Sequence, residues 1–534
     1  MEDLPNKFVP FNNPEDSQGA TPLYSASTFN IEQKPAESNA YASSSTKPAT
    51  TTRSADVVLD TKSASEHFPF TEALKLIVSN ALPLIFVYFV LFSIRNLSLH
   101  LIKQRNDERL TTAVGVGNTL LNVIGIAIYM SLNAGLTSCS AHAFGAKNYQ
   151  LLGFYLHRGL IINLIAMIPG GCILYWSDKF ALYMGFDEIT AQYTQQVTFY
   201  CLAGIFFMML FNTLTAYLNA CDIFIPPAIA LIVSAVAFWV LSVILVQNYE
   251  MDILGIAISF NIMQLIAFLL VLAYILIKDP VPGSFFWFKE QSFKEIWSLF
   301  KYEFFVGSMI FLEWVCGEII YIMAGSLSLT EVSALTIVYT NFQAWYSFPY
   351  SLSDVVLAFT GNAMGEGNIQ KAKSFIKAGV FCALGAALLA EIFYFFLAWE
   401  AAEIYTNNYE TIKKCVQIFR AYHLMYPSDF TQVILSTGLR AIGKEKLGSE
   451  LFILVFYFIG IPLSYILSFK VGLNVMGLVF GPIGSNYILI TLLLIVYCKI
   501  NWQDQLKVIQ QKLKNDNKGI LLPNDGLASP EAQI

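Results

Sequence analysis

The sequence predicts an all-α membrane protein in which twelve transmembrane helices form two six-helix lobes, related by pseudo-two-fold symmetry along the membrane normal. Its composition, its long apolar stretches and an internal repeat lead to this prediction. Of the 534 residues, 56% are hydrophobic and 13% are charged, whereas about a quarter are charged in soluble domains. The chain is therefore expected to lie in a lipid bilayer.

Long apolar stretches supply the predicted helices. A helix needs about 20 mostly apolar residues to cross the ~30 Å hydrocarbon core of a bilayer. Twelve stretches of suitable length follow one another along the chain. The predicted spans are 72–96, 110–134, 151–176, 193–219, 225–246, 253–277, 296–324, 332–359, 371–398, 413–440, 447–469 and 475–498.

An internal repeat indicates that the bundle arose by duplication. The segment HAFGAKN at 142–148 returns as NAMGEGN at 362–368, an offset of 220 residues, and each copy lies between two apolar stretches. Six spans in each copy give both halves the same membrane orientation, with the symmetry axis along the bilayer normal. Substrate is then expected to bind between the lobes. The repeated residues are Ala143 and Ala363, Gly145 and Gly365, and Asn148 and Asn368.

The chain divides into five segments on this scheme. Lys and Arg are denser in the loops that follow even-numbered spans, which places those loops and both termini in the cytoplasm. Residues 1–70 lack the apolar density for a core and are expected to form a disordered cytoplasmic tail. The other segments are the N-terminal six-helix lobe 71–278, the interlobe cytoplasmic linker 279–294, the C-terminal six-helix lobe 295–499, and an amphipathic helix with a disordered C-terminal tail, 500–534.

The amphipathic helix near the C-terminus is predicted to lie on an anionic inner leaflet. Trp502, Leu506, Ile509 and Leu513 recur at helical spacing beside lysines, as a helix on such a surface requires. A short exposed helix without a function is the alternative. The sequence does not decide which cellular membrane holds the protein, because a plasma membrane and a vacuolar or vesicular membrane both agree with it.

Several classes of protein are disfavoured. The net charge of −6 comes without a basic domain, which argues against nucleic-acid binding. No hydrolase, phosphate-loop or kinase motif is present, so neither an ATP-driven pump nor a familiar enzyme is expected. The cysteines and histidines show no ligand spacing, so no metal site and no cofactor are expected. The expected partners are a small-molecule substrate and the lipid bilayer, with the protein acting as a monomer.

Acidic residues within the spans are the main candidates for chemistry. An ionisable side chain at membrane depth is costly and indicates an ion or substrate pathway. Such a carboxylate can hold a proton in one state and release it in another, so proton coupling is predicted in the second half. The acids in the second half are Glu313, Glu318, Asp354, Glu391 and Asp429, whereas the first half has the neutral groups Asn80, Asn118, Asn122, Asn133, Asn212, Asn261 and Gln264.

Glu313 and Glu318 share one predicted helix. At ~100° per residue, five residues separate their directions by about 140°, so one is expected to face the cavity and the other a neighbouring helix. Trp314 offers an aromatic face to an organic cation. For Glu318, a bond to a neighbouring span that merely orders the bundle is the alternative. Tyr339 and Tyr346 are candidates to line the same pocket, with ordinary packing as their alternative.

Asp429 is the third candidate acid. It follows Pro427 within a span, and proline removes a backbone donor and frees a carbonyl, so a local break of the helix is expected there. Asp354 lies five residues beyond Pro349 and could play the same part, with a hydrated position near the cytoplasmic end as the alternative. Structural or interior-facing roles are favoured for Asp354 and for Glu391.

A series of short motifs runs through both halves of the chain. The segments are ALP at 81–83, NVIG at 122–125, AHAFGAKN at 141–148, LHR at 156–158, YLNACDIFIPP at 217–227, LEWVCGE at 312–318, IVYT at 337–340, Pro349, GNAMGEGN at 361–368, STGLRAIG at 436–443 and YFIGIPL at 457–463. In sequence and in order, these motifs resemble the eukaryotic branch of the multidrug and toxic compound extrusion (MATE) transporters over roughly 72 to 498.

The resemblance implies an antiporter that expels organic, often cationic, compounds in exchange for protons or sodium. Glu313, Glu318 and Asp429 fall where the family places acidic residues of its C-terminal lobe, and Tyr339 and Tyr346 fall on its cavity-lining tyrosines. The first span has no acid for a sodium site of the kind proposed in bacterial relatives, so protons are favoured as the coupling ion.

Four positions depart from the family pattern and put the substrate range in doubt. Thr340 and Thr137 stand where many members carry acids, Phe359 replaces a common arginine, and His142 replaces a common glutamine. Two other functions remain open beside export by alternating access. A lipid-linked precursor flippase would need a cationic cavity, but interior Lys and Arg are scarce, and a non-transporting receptor or scaffold would have a cavity that moves nothing.

Overall fold

The computed structural model describes residues 68–103 and 108–518; nearly all of the predicted N-terminal tail, and the predicted tail after residue 518, lie outside them. Helices dominate this part of the chain, and four of them continue into π-helical turns. The helices are α1 (Phe70–Lys103), α2 (Glu108–Leu120), α3 (Ile128–Gly145), α4 (Tyr149–Tyr175), α5 (Ser177–Tyr183), α6 (Glu188–Tyr200), α7 (Leu202–Ala220), α8 (Ile225–Val243), α9 (Asp252–Lys278), α10 (Ile296–Ala324), α11 (Leu329–Trp345), α12 (Ser347–Glu366), α13 (Ile369–Glu403), α14 (Tyr409–Ala441), α15 (Glu445–Phe452), α16 (Ile461–Tyr465), α17 (Val475–Lys499) and α18 (Trp502–Lys518).

Ten helical stretches of the described residues are long and apolar enough to cross a membrane. The two other predicted spans correspond to α11 with α12 and to α14. Both contain more polar residues than the rest. A helix that faces a polar cavity within a bundle tolerates such residues, because they point away from lipid. These two spans supply much of the site described below.

Two prolines act differently from each other in these polar spans. Pro349 lies at the third position of α12 and cannot donate to the carbonyl of Trp345, and the chain breaks there into α11 and α12. Pro427, in contrast, does not break α14, which continues through it, so the predicted break is wrong. The hydroxyl of the next residue, Ser428, donates to the carbonyls of Leu424 and Met425, at 2.9 Å each.

The two halves of the bundle exchange their first spans. In the N-terminal half (α1–α9), α1 packs mainly against α12 and α13 of the other half and against α8. In the C-terminal half (α10–α17), α10 packs against α3. Leu299, Tyr302 and Val306 of α10 belong to the core of the N-terminal half, and Met309 and Cys316 further along the helix belong to that of the C-terminal half. The halves therefore meet along α1, α3, α10 and α12.

The sequence repeat forms equivalent structures in the two halves. The side chain of Asn148 accepts a hydrogen bond from the backbone N–H of Leu151 and caps α4. Asn368 accepts one from Lys371 and caps α13 in the same way. The residue before each asparagine has a left-handed backbone, with φ of 58° at Lys147 and 86° at Gly367. The repeat thus encodes one helix–turn–helix unit per half.

The two repeats also touch one another. A methyl group added at Gly145 would lie 2.1 Å from the carbonyl oxygen of Asn362, and one added at Gly365 would lie 2.3 Å from that of His142. His142 and Asn362 are equivalent positions of the repeat, so the contact is reciprocal across the pseudo-two-fold axis. Only glycine allows the two backbones to approach this closely.

Hydrogen bonds between the halves surround these glycines. The imidazole Nε2 of His142 lies 2.8 Å from the carbonyl oxygen of Ala441. Symmetrically, the amide of Asn362 donates to the carboxylate of Asp222 at 2.7 Å. The hydroxyl of Ser138 donates to the carbonyl of Arg440 at 3.2 Å. We call this end of the bundle, where α1 begins and α18 lies, the closed end.

The apolar face of the C-terminal helix α18 is covered by protein. Leu506 and Ile509 are buried in the core of the C-terminal half, and Trp502 and Leu513 pack against that core. The placement on a lipid leaflet is therefore wrong, because the apolar face that was expected to enter the leaflet packs against protein.

Candidate functional site

Three neighbouring chambers, which share lining residues, lie within and between the halves. The C-half chamber is bounded by α10, α11, α14 and α17, and the N-half chamber mainly by α2, α7, α8 and α9. A central chamber joins them next to the closed end. Trp314 of α10 lines all three chambers. Counting all space between the lining atoms out to their open mouths, the two outer chambers measure about 1280 and 1370 Å³.

The six residues selected from the sequence all line the C-half chamber. They come from three separate stretches of chain: α10, the junction of α11 with α12, and α14. They are Glu313, Trp314, Glu318, Tyr339, Tyr346 and Asp429.

Glu313 occupies the boundary between the C-half and central chambers. Its Oε1 atom accepts a hydrogen bond from the amide of Gln432 at 2.6 Å and a longer one from the hydroxyl of Tyr346 at 3.2 Å. Both donors are neutral. A buried carboxylate needs such partners, and neutral ones leave it free to gain or lose a proton without breaking an ion pair.

Asp429 is buried and has one partnered and one unpartnered oxygen. Its Oδ1 atom accepts a hydrogen bond from the amide of Asn486 at 3.0 Å. Its Oδ2 atom has no hydrogen-bond partner among the residues that the structure describes. A buried acceptor without a donor is unfavourable by about 1–3 kcal/mol. A bound proton or a ligand cation would relieve this cost.

Glu313 and Glu318 both line the C-half chamber, so the expectation that only one of them faces the cavity is wrong. The predicted angle of about 140° between the two side chains is not the source of the error. Gly317 lies between them, and the space beside it is open, with nothing within 4 Å of an added methyl group. Because the chamber wraps around this side of α10, side chains about 140° apart reach the same space.

The central chamber contains a second polar group of residues. The hydroxyl of Tyr88 donates to Oδ2 of Asp354 at 2.6 Å. Opposite, the guanidinium of Arg440 donates to Thr437 at 2.6 Å and to Ser353 at 3.2 Å. Asp354 therefore faces the interior of the bundle, which agrees with the interior-facing role and not with the alternative of a hydrated position near a helix end.

Three polar residues that line these chambers or bond to a lining acid were not selected from the sequence. Gln432, Asn486 and Arg440 were passed over because they are not acidic. For α14 a signal did exist: Asp429, Gln432, Ser436 and Arg440 follow each other at three or four residues, which is the spacing of one helix face. Asn486 has no such signal, since its partner is 57 residues away.

The N-half chamber has no acidic lining residue in the part of the chain that the structure describes. Its polar lining consists of side-chain amides and hydroxyls, and the amides are those that the sequence predicted for the first half. These lining residues are Asn118, Asn122, Asn212, Gln264, Thr215, Tyr88 and Tyr350. Asn122 lies in a π-helical segment, Leu121–Ala127, a feature that is frequent at functional sites.

Aromatic rings form much of the remaining wall of the C-half chamber. The ring centroids of Tyr321 and Tyr339 are 6.2 Å apart, and those of Phe342 and Tyr346 are 5.7 Å apart. Together with Trp314, these rings are suitable for an organic molecule that carries a positive charge. Acids and aromatic faces thus share one space.

This fold and this cavity define a class of protein: a transporter with two equivalent membrane halves and an internal site between them. The sequence model of the MatE family matches residues 83–244 and 306–466, one segment in each half and together more than half of the chain. The chain belongs to the MatE family of multidrug and toxic compound extrusion transporters. The resemblance inferred from the motifs is confirmed, and this is a family of transporters and not of enzymes.

Individual relatives agree with this assignment. Protein DETOXIFICATION 49 of Arabidopsis thaliana is 25% identical over 433 residues, which are 80% of this chain and 86% of the relative. Multidrug and toxin extrusion protein 2 of Mus musculus is 26% identical over 77% of this chain and 72% of its own length. The crystal structure of the eukaryotic MATE transporter AtDTX14 superposes with a TM-score of 0.79 at 19% identity, covering 83% of this chain and 99% of that one. The predicted all-α fold is confirmed.

Proposed function

We propose that this protein is a secondary antiporter that expels organic cations in exchange for protons by alternating access. The observation that carries the proposal is the shared use of one chamber by acids and aromatic rings. Among the described residues, the lining of the chambers contains four carboxylates and a single guanidinium. These residues are Glu313, Glu318, Asp354, Asp429 and Arg440.

Competition for the same carboxylates would couple the two fluxes. A proton on Glu313 or Asp429 removes the negative charge that attracts a cationic substrate, and a bound substrate disfavours the proton. The partners of both acids are the neutral groups Gln432, Tyr346 and Asn486, so the charge of the site changes fully when a proton binds. The absence of acids from the lining of the N-half chamber, within the described residues, favours protons over sodium as the coupling ion.

The direction of transport follows from the placement of charge. Because Lys and Arg are denser in the loops at the closed end, that end faces the cytoplasm on our proposal. The structure then represents an outward-facing state of a monomeric transporter. A plasma membrane and a vacuolar or vesicular membrane both fit this orientation, since substrate leaves the cytoplasm in each case.

The rival functions are less well supported by the cavity. A flippase for lipid-linked precursors would need cations to hold phosphate, yet Arg440 is already engaged by Ser353 and Thr437 and is outnumbered by acids. A receptor or scaffold would not need carboxylates in the cavity, because buried acids lower stability unless they have a function.

The test is efflux of a cationic dye from proteoliposomes across an imposed pH gradient. We expect Glu313→Gln to abolish gradient-driven efflux, since the amide cannot exchange a proton. Glu391→Gln is the matched control, because this acid lies in α13 and does not line a chamber. Monodispersity and thermal stability of both variants establish that they are folded. Undiminished efflux by folded Glu313→Gln protein would exclude Glu313 from coupling.

A further inference from the structure

The C-terminal helix α18 begins on the C-terminal half. Leu506 and Ile509 are buried in the core of that half. The indole of Trp502 stacks on the ring of Tyr497, with centroids 6.2 Å apart, and the ammonium of Lys373 lies 5.0 Å from the indole centroid. The first turns of α18 are therefore attached to α13 and α17.

The following turns of α18 reach the N-terminal half. The hydroxyl of Tyr155, in α4, donates to the carboxylate of Asp516 at 2.6 Å. The ammonium of Lys512 lies 3.0 Å from the thiol sulfur of Cys139 in α3 and 3.1 Å from the ring centroid of Tyr302 in α10. Leu513 packs against the cores of both halves. One helix thus spans the closed end.

Carboxyl groups of α10 and α15 lie in the same region as Lys512. The side chain of Glu303 in α10 is fully buried, and neither of its carboxyl oxygens has a hydrogen-bond partner among the described residues. Glu445 of α15 lines the same crevice as Lys512 and Tyr302. Removing the ammonium would break its contacts with the thiol of Cys139 and the ring of Tyr302 and would take the cation out of this interface between α3, α10 and α15.

We propose that α18 is a strap that holds the closed end shut, and that Lys512 is the positioning residue that fastens it. The proposal deepens the proposed function, since alternating access is the process that a strap would control. Opening the closed end separates Gly145 from Asn362 and moves α3 and α4 away from α13 and α14. Because α18 is attached on both sides, that movement must break the contacts of Lys512 and Asp516.

The test measures a distance across the closed end and needs no transport. Spin labels are placed at Gln150→Cys and Lys446→Cys, both exposed positions on opposite halves, in full-length protein whose exposed Cys172 and Cys498 are replaced by serine. Double electron–electron resonance in nanodiscs then reports the populations of closed and open states. Lys512→Ala is compared with Lys514→Ala, an exposed lysine on the same helix.

We expect Lys512→Ala to raise the ratio of open to closed molecules about tenfold, which corresponds to ~1.4 kcal/mol. Lys514→Ala is expected to leave the distribution unchanged, and Lys512→Arg to restore it, because arginine keeps the charge and the contact with the ring. Tyr155→Phe, which removes a single hydroxyl from the other attachment, is the second variant if Lys512→Ala does not fold, and it should shift the ratio in the same direction.

Unchanged distances in folded Lys512→Ala and Tyr155→Phe proteins would overturn the proposal that α18 holds the closed end shut. Efflux measured with the same protein variants reconstituted in proteoliposomes separates this failure from that of the proposed function. If distances shift while no dye is transported by any form of the protein, the strap stands and the substrate assignment fails. If the unmodified protein transports dye and neither variant moves a distance, the strap fails alone.

Discussion

At the scale of single residues, the site consists of carboxylates that are held by neutral donors. Gln432 and Tyr346 donate hydrogen bonds to Glu313, and Tyr88 donates one to Asp354. An ion pair would fix the charged form, whereas an amide or a phenol can accompany either protonation state. The choice of partner therefore suits a group that exchanges protons.

Tyr88→Phe tests one of these partnerships. The substitution removes the hydroxyl that donates to Asp354 at 2.6 Å, and a hydrogen bond to a charged group contributes about 2 kcal/mol. We expect a lower melting temperature in detergent. Tyr350→Phe is the control, because its hydroxyl lies against the weakly accepting sulfur of Met130. Equal melting temperatures for the two variants would show that the bond to Asp354 contributes little.

At the scale of helices, the repeated motif has a mechanical role and not a chemical one. Its asparagines cap α4 and α13, and its glycines let α3 and α12 meet at the closed end. On the proposed alternating-access mechanism, the transition to the opposite state must open this contact. The small residues thus close this end of the bundle by shape complementarity, whereas the candidate acids lie in the chambers.

Gly145→Ala is expected to destabilise the closed end. The added methyl group would lie 2.1 Å from the carbonyl oxygen of Asn362, so α3 and α12 must move apart. Gly365→Ala should act alike, because its contact with His142 is the symmetric one. The labelled distance across the closed end measures the outcome for both.

Gly385→Ala is the control for these substitutions. This glycine lies within α13 with nothing within 4 Å of an added methyl group, and alanine favours a helix over glycine by about 1 kcal/mol. We expect neutral or slightly increased stability and an unchanged distance. A distance in Gly145→Ala protein that equals that of the control would contradict the tight contact at the axis.

At the scale of the whole molecule, the two halves share a fold but differ in charge. Carboxylates line the C-half chamber, and side-chain amides line the N-half chamber of the described residues. Duplication supplied two equivalent frameworks, and their linings have diverged. A substrate that bridges them meets a negative side and a neutral polar side, which favours a cation with an uncharged body.

Transport of matched dyes tests this asymmetry. In proteoliposomes with the same pH gradient, we expect a cationic dye to be exported at least tenfold faster than an anionic dye of similar size, because about 1.4 kcal/mol of charge preference gives that ratio. Glu318→Gln should lower the preference, since it removes one charge from the chamber. Equal rates for the two dyes would exclude charge as the basis of selection.

Much of this arrangement was predictable from the sequence, and the exceptions have a common cause. The acids of α10 and α14 were found because a charged side chain is conspicuous in an apolar span. Gln432, Asn486 and Tyr88 were not found, since a neutral polar residue can be recognised as part of the site only from its partner on another helix. The surface that covers the apolar face of α18 was also predicted wrongly, because an amphipathic sequence does not specify whether lipid or protein will cover that face.

The sequence by itself determined the membrane environment, the number and order of the spans, the duplication and the acids of the second half, because these depend on composition and on spacing along one helix. Only the tertiary structure decided which acids share a chamber, that the repeated glycines meet at the axis, and that α18 joins the halves. Those features depend on contacts between distant residues, such as Tyr88 with Asp354, 266 positions apart, and helix packing alone brings them together.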